Sequence, residues 1–555
     1  MASPPYAPPV AAKGDSIASW RWATSAAALT LCVVVAGLLS IARGQDTNWD
    51  LLNYHFYDPW AFVHGRGLVY DLAAAQLQTY HSPLLDLPFY WMVAADWPPQ
   101  VIAFVLAIPT GIAAYFLIRL TWLVFADLDS RARLAATAAA SIIGLTAAVG
   151  TGVIGTTMDE WPGAMFLIIA LWLVARDLAH SRDVPLRTPV LFIAGLLCGV
   201  ASGLKLTVAT FSVTFCLTLL WRVHWRQPRW REAAWFAAGT AVGFVVAYGP
   251  WGSQLWSHFR NPVFPYGNQW FHSPWWEPNS PFPRVYGPHS VVEWLLFPFT
   301  LLAPPPFYVT EPQYVDARMP LIYALSLMAL ACAFVGPIAR RVGGQGVATA
   351  PVIAPAVAPL WRFIGLFFAS SFILWTAQHS VYRYLVPLEI LTGILIVGLL
   401  RYLLRPGVVA AGVAVATIGL LVTTEPAEWG RTAFAAKWFD VPIPRVEANA
   451  LILLASDAPM SYLLPYFPAD ARYLGVNNSI TRPSSRTGLE DRIVDVIAKH
   501  SGPIYALTFP RGAGSDALRA HGLSRVAGTC VTLPSRLTID TPDLCRLERT
   551  SAPTR

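Results

Sequence analysis

Apolar residues in this chain run in long blocks separated by short polar stretches, rather than alternating along strands or striping one face of a helix. The blocks fall near 22–42, 99–119, 134–154, 161–175, 189–204, 206–221, 233–252, 320–337, 361–378, 385–401 and 406–424. A helix needs about 20 apolar residues to cross a bilayer, so the pattern predicts about eleven spans. Several blocks are short enough that they would be broken or flanked by snorkelling side chains. The first block is long enough to span and has no convincing cleavage site, so it reads as a retained span rather than a signal peptide. A further apolar stretch, Val291 to Leu302, is too short to cross and reads as interfacial or re-entrant.

After Glu425 the pattern changes. Ala450–Ser456 and Pro503–Phe509 look like short buried strands, and Leu489–His500 carries helical spacing at Ile493, Val496 and Ile497. Strand, helix and strand together suggest a small α/β domain. The expected fold is therefore mainly α, a polytopic membrane bundle of helices with a small C-terminal α/β domain. Its parts are an N-terminal segment 1–21, a membrane body 22–424 with long loops 43–98 and 256–319, and a tail 425–555. The Ala-, Val- and Pro-rich stretch Gly346–Pro359 reads as a connecting loop without chemistry.

Composition agrees with this pattern. The chain is 55% hydrophobic and 13% charged, where a soluble protein carries about 25% charged residues. Its 23 tryptophans suit anchoring at membrane interfaces. Basic residues lie between the apolar blocks, so the net charge of +7 calls for no nucleic-acid partner. One set of loops is rich in them (Arg131, Arg133, Arg229, Arg231, Arg340, Arg341, Arg401, Arg405) and should be cytoplasmic. The opposite set is thinner (Arg43, Arg66, Arg260, Arg318, Arg383) and should face out, together with the C-terminus.

Four cysteines (Cys32, Cys198, Cys216, Cys332) lie in apolar blocks as small hydrophobes. Cys530 and Cys545 lie in the outer tail, where they either pair, at about 3 kcal/mol in the chain-entropy account, or remain inert thiols; pairing is the expectation. No Cys-x-x-Cys or His-rich spacing points to structural zinc.

Acidic residues gather at the outer ends of blocks. Asp46, Asp50 and Asp58 follow the first, Asp86 precedes the second, and Asp159-Glu160 fills a short connection between the third and fourth. Asp58 and Asp86 read as solvated loop carboxylates. Asp50, Asp46, Asp159 and Glu160 are the catalytic candidates, a general base and a partner that orients the acceptor. Lys205 and Arg383 stand at two other outer turns, where ammonium and guanidinium groups suit an anion clamp, with His55 and His81 able to join it. The alternatives are snorkelling for Lys205 and an Arg383–Glu389 ion pair.

These residues resemble a family. Asp50 with Tyr54, Gly65 and Tyr70 is similar to the first outer loop of GT-C-type membrane glycosyltransferases, which bears their proposed catalytic Asp. Asp159-Glu-Trp-Pro162 looks like the second acidic position, and Gly203-Leu-Lys205-Leu-Thr207 resembles a Lys-bearing turn found further along. The resemblance covers residues 20 to 425. It implies inverting transfer of a sugar from a polyprenyl-phosphate carrier to a lipid, glycan or protein acceptor, outside a bacterial inner membrane. Lys205, Arg383 and His55 would hold the donor phosphate, while Tyr54, Tyr384 and His81 would line the pocket. No cofactor is expected; the outer carboxylates could hold a divalent metal, but no ligand spacing demands one. A flippase or transporter of a lipid-linked saccharide is the second reading, and a scaffold with a partner-binding tail is the third. The sugar, the acceptor and the oligomeric state are not legible.

Overall fold

Each expected apolar block contains helix in the structure, a computed structural model that describes residues 13–180, 185–221, 229–279, 286–341, 357–483, 486–509, 513–538 and 541–550. Among the described residues six helices are long and apolar enough to cross a membrane: Thr24–Arg43, Pro99–Val124, Glu160–Ala179, Trp230–Phe259, Ala358–Gln378 and Pro406–Thr423. A seventh crossing is offered by Tyr382–Glu389 followed by Thr392–Leu403, two pieces bent by 56°. Thr188–Leu204, Leu206–Trp221 and Arg318–Ala333 are apolar but shorter, so a count of eleven does not follow from length. The chain is a multi-pass membrane protein. Val291–Thr300 is a ten-residue helix, as its length required. The loop expected at 346–359 lies almost wholly outside the described residues, as does the N-terminal segment up to residue 12.

Among the described residues the most extensive helix packing is between Thr188–Leu204 and Trp230–Phe259. Gly195 and Gly199 on one helix face Gly239 and Gly243 on the other, and neither backbone leaves room for a side chain. A Cβ on Gly199 would stand 2.1 Å from the Thr240 carbonyl oxygen, and one on Gly243 would stand 2.3 Å from that of Leu196. Small residues at four-residue spacing let helices in lipid approach this closely. Gly199→Ala is therefore expected to cost about 1–3 kcal/mol by overpacking. Gly419→Ala, at a glycine with nothing within 4 Å of its added Cβ, should leave the melting temperature in detergent unchanged or raised. Equal melting of the two variants would refute this packing account.

The tail forms a sheet of β1 (Leu451–Leu454), β2 (Arg472–Gly475), β3 (Ile504–Thr508), β4 (Leu523–Arg525), β5 (Val531–Thr532) and β6 (Asp543–Arg549). The strand order is β2-β1-β3-β6-β4, with β5 paired to β6. β1 runs parallel to β2 and β3, and β6 is antiparallel to β3 and β4. The helix Gly488–Lys499 buries Leu489, Ile493, Val496 and Ile497, and its Thr487 side chain caps the Glu490 N–H. Cys530 and Cys545 form a disulfide between the segment before β5 and β6.

The tail is fastened to the first long loop. Leu72 forms a parallel bridge to Leu474, so the loop adds backbone hydrogen bonds at the β2 edge. Beside it, Arg66 and Asp71 make a buried ion pair. Tyr57 donates to Asp71, whose other oxygen accepts the Tyr473 N–H, and Arg66 donates to the Ala471 carbonyl. At the loop's start, Gln45–Asp46 pairs antiparallel with Arg431–Thr432, where the tail begins. The loop that carries Asp50 is thus held against the tail at its start and near its middle.

Candidate active site

Asp50 opens a five-residue π-helical turn, Leu51–His55, an irregularity frequent at functional sites. The turn is started by Asn48, whose side chain accepts the Leu51 N–H at 2.8 Å. Asn48 also donates to Asp46, and Thr157 donates to Asp46 through both its N–H (2.8 Å) and its hydroxyl (3.0 Å). Asp46 is therefore a buried bracket between the first loop and the turn before Asp159, its oxygens occupied by Asn48 and Thr157. Asp50 is the carboxylate that meets the cations.

Four charged side chains from four parts of the chain form a row of alternating sign. Arg383 Nη1 lies 2.5 Å from Asp50 Oδ2, and its Nε lies 4.0 Å from Glu160 Oε1. Glu160 Oε1 in turn accepts from Lys205 Nζ at 2.6 Å. Each position has a local cause. Glu160 begins the helix Glu160–His180, where a carboxylate suits the positive helix end. Lys205 is the extended cap residue after Thr188–Leu204, where a cation suits the negative end. Arg383 sits in the tight turn Tyr382–Leu385 at the start of the bent pair. The Tyr384 ring lies 5.5 Å from both the Lys205 ammonium and the Arg383 guanidinium, within cation–π range.

Two alternatives raised by the sequence are not what the structure shows. Lys205 does not snorkel but pairs with Glu160. Arg383 pairs with Asp50, while Glu389 accepts the backbone N–H groups of Val149 and Gly150.

Beside this row is a second group. His55 Nδ1 is 2.7 Å from Asp86 Oδ1, and His55, Asp86 and Asp159 offer ligand atoms within 4.8 Å of one another. Asp86 is buried rather than solvated, because the loop folds over it. Asp58 is buried as well, with neither carboxyl oxygen hydrogen-bonded among the described residues. His81 Nε2 lies 2.9 Å from the Tyr266 hydroxyl of the second long loop, and its ring meets Tyr54 edge-on at 5.4 Å. Tyr54, His81 and Tyr266 thus form an aromatic wall joining the two loops.

Burial opposes the charge on Asp50, but Arg383 first and His55 next outweigh it and hold this carboxyl below its ordinary range. Burial also opposes charge on His55, yet Asp86 and Asp159 hold it up at about 9. Burial and then the Asp86 charge push Asp159 up to about 7. Burial lifts Asp86 too, against the pull of His55, and drives His81 down to about 4. Two carboxyl groups in one site are thereby held apart, Asp50 ionised and Asp159 readily protonated, as acid–base sites require. An imidazole with two carboxylates suits a divalent cation once the imidazole has lost its proton, and the His55 Nε2, buried without a hydrogen-bond partner among the described residues, fits such a role. His55, Asp86 and Asp159 would then hold the ion, which would supply positive charge for a phosphate oxygen.

The structure gathers Asp50, Glu160, Lys205, Arg383 and Tyr384 into one row, with His55 and Asp159 beside it and Tyr54 and His81 as its wall. Sequence reading placed Asp86 in solvent and did not single out Tyr266. An acid 31 residues after a histidine has no periodic signal, and a loop tyrosine among many aromatics has none either.

No protein-family model and no curated protein matches the chain. Among solved structures it is similar to ArnT from Cupriavidus metallidurans bound to undecaprenyl phosphate, at 12% identity and a TM-score of 0.48, covering 93% of this chain and 97% of that one. It is also similar to the oligosaccharyltransferase of Archaeoglobus fulgidus in its apo form, at 11% identity and a TM-score of 0.40, covering 92% and 74%. A structure of that enzyme with an inhibitory peptide and dolichol-phosphate gives 11% identity and 0.39.

Proposed function

We propose that this chain is a GT-C-type glycosyltransferase. In this reading it transfers a sugar from a polyprenyl-phosphate carrier to a lipid, glycan or protein hydroxyl at the outer face of a bacterial inner membrane. The observation that carries the proposal is the row Asp50–Arg383–Glu160–Lys205, at one end of a helical membrane bundle, with an aromatic wall beside it.

Transfer needs two things at one point. Negative charge grows on the departing phosphate as the bond from its oxygen to the anomeric carbon breaks. Lys205 and Arg383 supply fixed positive charge there. The attacking acceptor hydroxyl must lose its proton as its oxygen bonds that carbon, and Asp50 takes it as general base. One displacement inverts the anomeric centre, with the hydroxyl in the place that water holds in inverting glycosidases. Asp159, beside His55 and Asp86, is the second carboxylate and helps to orient the acceptor.

A flippase would need its ionisable groups near the bilayer midplane. Here they lie in a loop and at helix ends, and the loop that carries Asp50 also touches the tail.

The test is sugar transfer by the full chain in nanodiscs, supplied with polyprenyl-phosphate sugars drawn from a deletion strain. Lys205→Met removes a charged partner of the phosphate. It is expected to weaken donor use by about 10- to 100-fold, the range of a charge-assisted hydrogen bond, with Lys205→Arg partly restored. Unchanged transfer in a folded Lys205→Met protein would refute the clamp. Activity in excess chelator tests the expected independence from metal.

A further inference from the structure

We infer that the donor phosphate displaces the two carboxylates from Arg383 and Lys205, so that donor binding itself releases the base. This rests on the donor reading above and extends it to the order of events.

In the structure both clamp cations already have anionic partners. Arg383 is held by Asp50 at 2.5 Å, and Lys205 by Glu160 at 2.6 Å. Neither cation is sealed in: the Arg383 and Lys205 side chains keep 16% and 20% of their exposure, whereas Glu160 keeps 1%. Nor is the row saturated, because Arg383 Nε and Glu160 Oε2 are buried without a hydrogen-bond partner among the described residues. A phosphate entering here would offer more charge and more acceptor oxygens than one carboxylate. It would satisfy the guanidinium fork and the ammonium together. Tyr384, 5.5 Å from both cations, is an aromatic face against which they can turn without losing their surroundings.

The consequence follows from the same contact. While Arg383 holds Asp50, an oxygen that must accept the acceptor's proton is already engaged. When Arg383 turns to the phosphate, that oxygen is freed next to the anomeric carbon. The base therefore becomes available only once a donor is in place, and the acceptor is deprotonated after the donor has docked.

Competition makes a prediction opposite in sign to a simple loss of function. Neutralising an acid should tighten phosphate binding while transfer falls. The probe is undecaprenyl phosphate, its Kd measured on the full chain in nanodiscs. Asp50→Asn is expected to bind about 10-fold tighter than the unmodified chain, a gain of about 1.4 kcal/mol. Glu160→Gln should also tighten binding, and serves if Asp50→Asn fails to fold. Adding Arg383→Ala to Asp50→Asn should abolish the gain. If the unmodified chain binds the probe, Arg383→Ala weakens it, and neither acid variant is tighter, the competition is overturned and the clamp stands. If Arg383→Ala and Lys205→Met both bind as the unmodified chain does, the donor reading itself is overturned.

Discussion

Asp50→Asn is expected to lower sugar transfer by about 10²–10⁴-fold, the contribution of a positioned general base, while the protein remains folded and inserted. Asn keeps the shape of the side chain and can still accept a hydrogen bond from Arg383, so the row need not collapse. What is lost is the negative oxygen able to take a proton. Asp46→Asn should behave differently, because Asp46 accepts from Asn48 and Thr157 and stands outside the cation row. Its loss should appear in thermal stability and in loop order before it appears in the chemical step. The readout is kcat for single and double variants in nanodiscs, beside melting curves. Transfer within threefold of normal in a folded Asp50→Asn protein would remove Asp50 from the role of base.

Arg318→Ala is expected to destabilise the bundle by about 3–5 kcal/mol, the cost of removing one partner from a buried ion pair. Arg318 and Asp316 are both 0% exposed. The guanidinium donates to Asp316 Oδ2 at 2.8 Å, to the carbonyls of Ile143 (2.7 Å) and Thr146 (2.8 Å), and to the Thr424 hydroxyl at 2.8 Å. It thereby ties the end of Ser130–Leu145 to the start of Arg318–Arg341 and the end of Pro406–Thr423. Asp316 meanwhile accepts the Ala148 N–H at 2.9 Å. Truncation would leave a buried charge and two carbonyls without partners. Denaturant unfolding of the purified chain reads the loss, and a loss below about 1 kcal/mol would mean that water replaces the arginine, as at exposed pairs. The stretch around Arg318 also sets where Glu389 can sit, since Glu389 accepts from Val149 and Gly150 in the same short helix that Asp316 caps.

Much of this architecture was written in one dimension. Uninterrupted apolar blocks mark helices because lipid offers the backbone no hydrogen bonds, so a crossing segment must satisfy its own. The change of pattern after Glu425 marks the tail, and its strands at 451–454 and 504–508 and helix at 488–499 lie where short apolar runs and helical spacing put them. The glycines at 195, 199, 239 and 243 were legible as a four-residue repeat and went unread. The close approach that gives them meaning belongs to two helices that are distant along the chain.

The candidate site divides along the same line. Residue type and position relative to a helix end single out Asp50, Glu160, Lys205 and Arg383, because a charge beside an apolar block is costly unless it has a partner or a task. Which charge meets which is a different matter. Arg383 has Glu389 six residues away, yet it pairs with Asp50, 333 positions earlier. Asp86 looks like a loop carboxylate until folding buries it against His55. Sequence fixes which segments enter lipid and which side chains can carry charge, because hydrophobicity and ionisation are properties of single residues. Pairing, burial and the resulting split in proton affinity are properties of distances between segments far apart in the chain, and the packed bundle with its docked tail decides those.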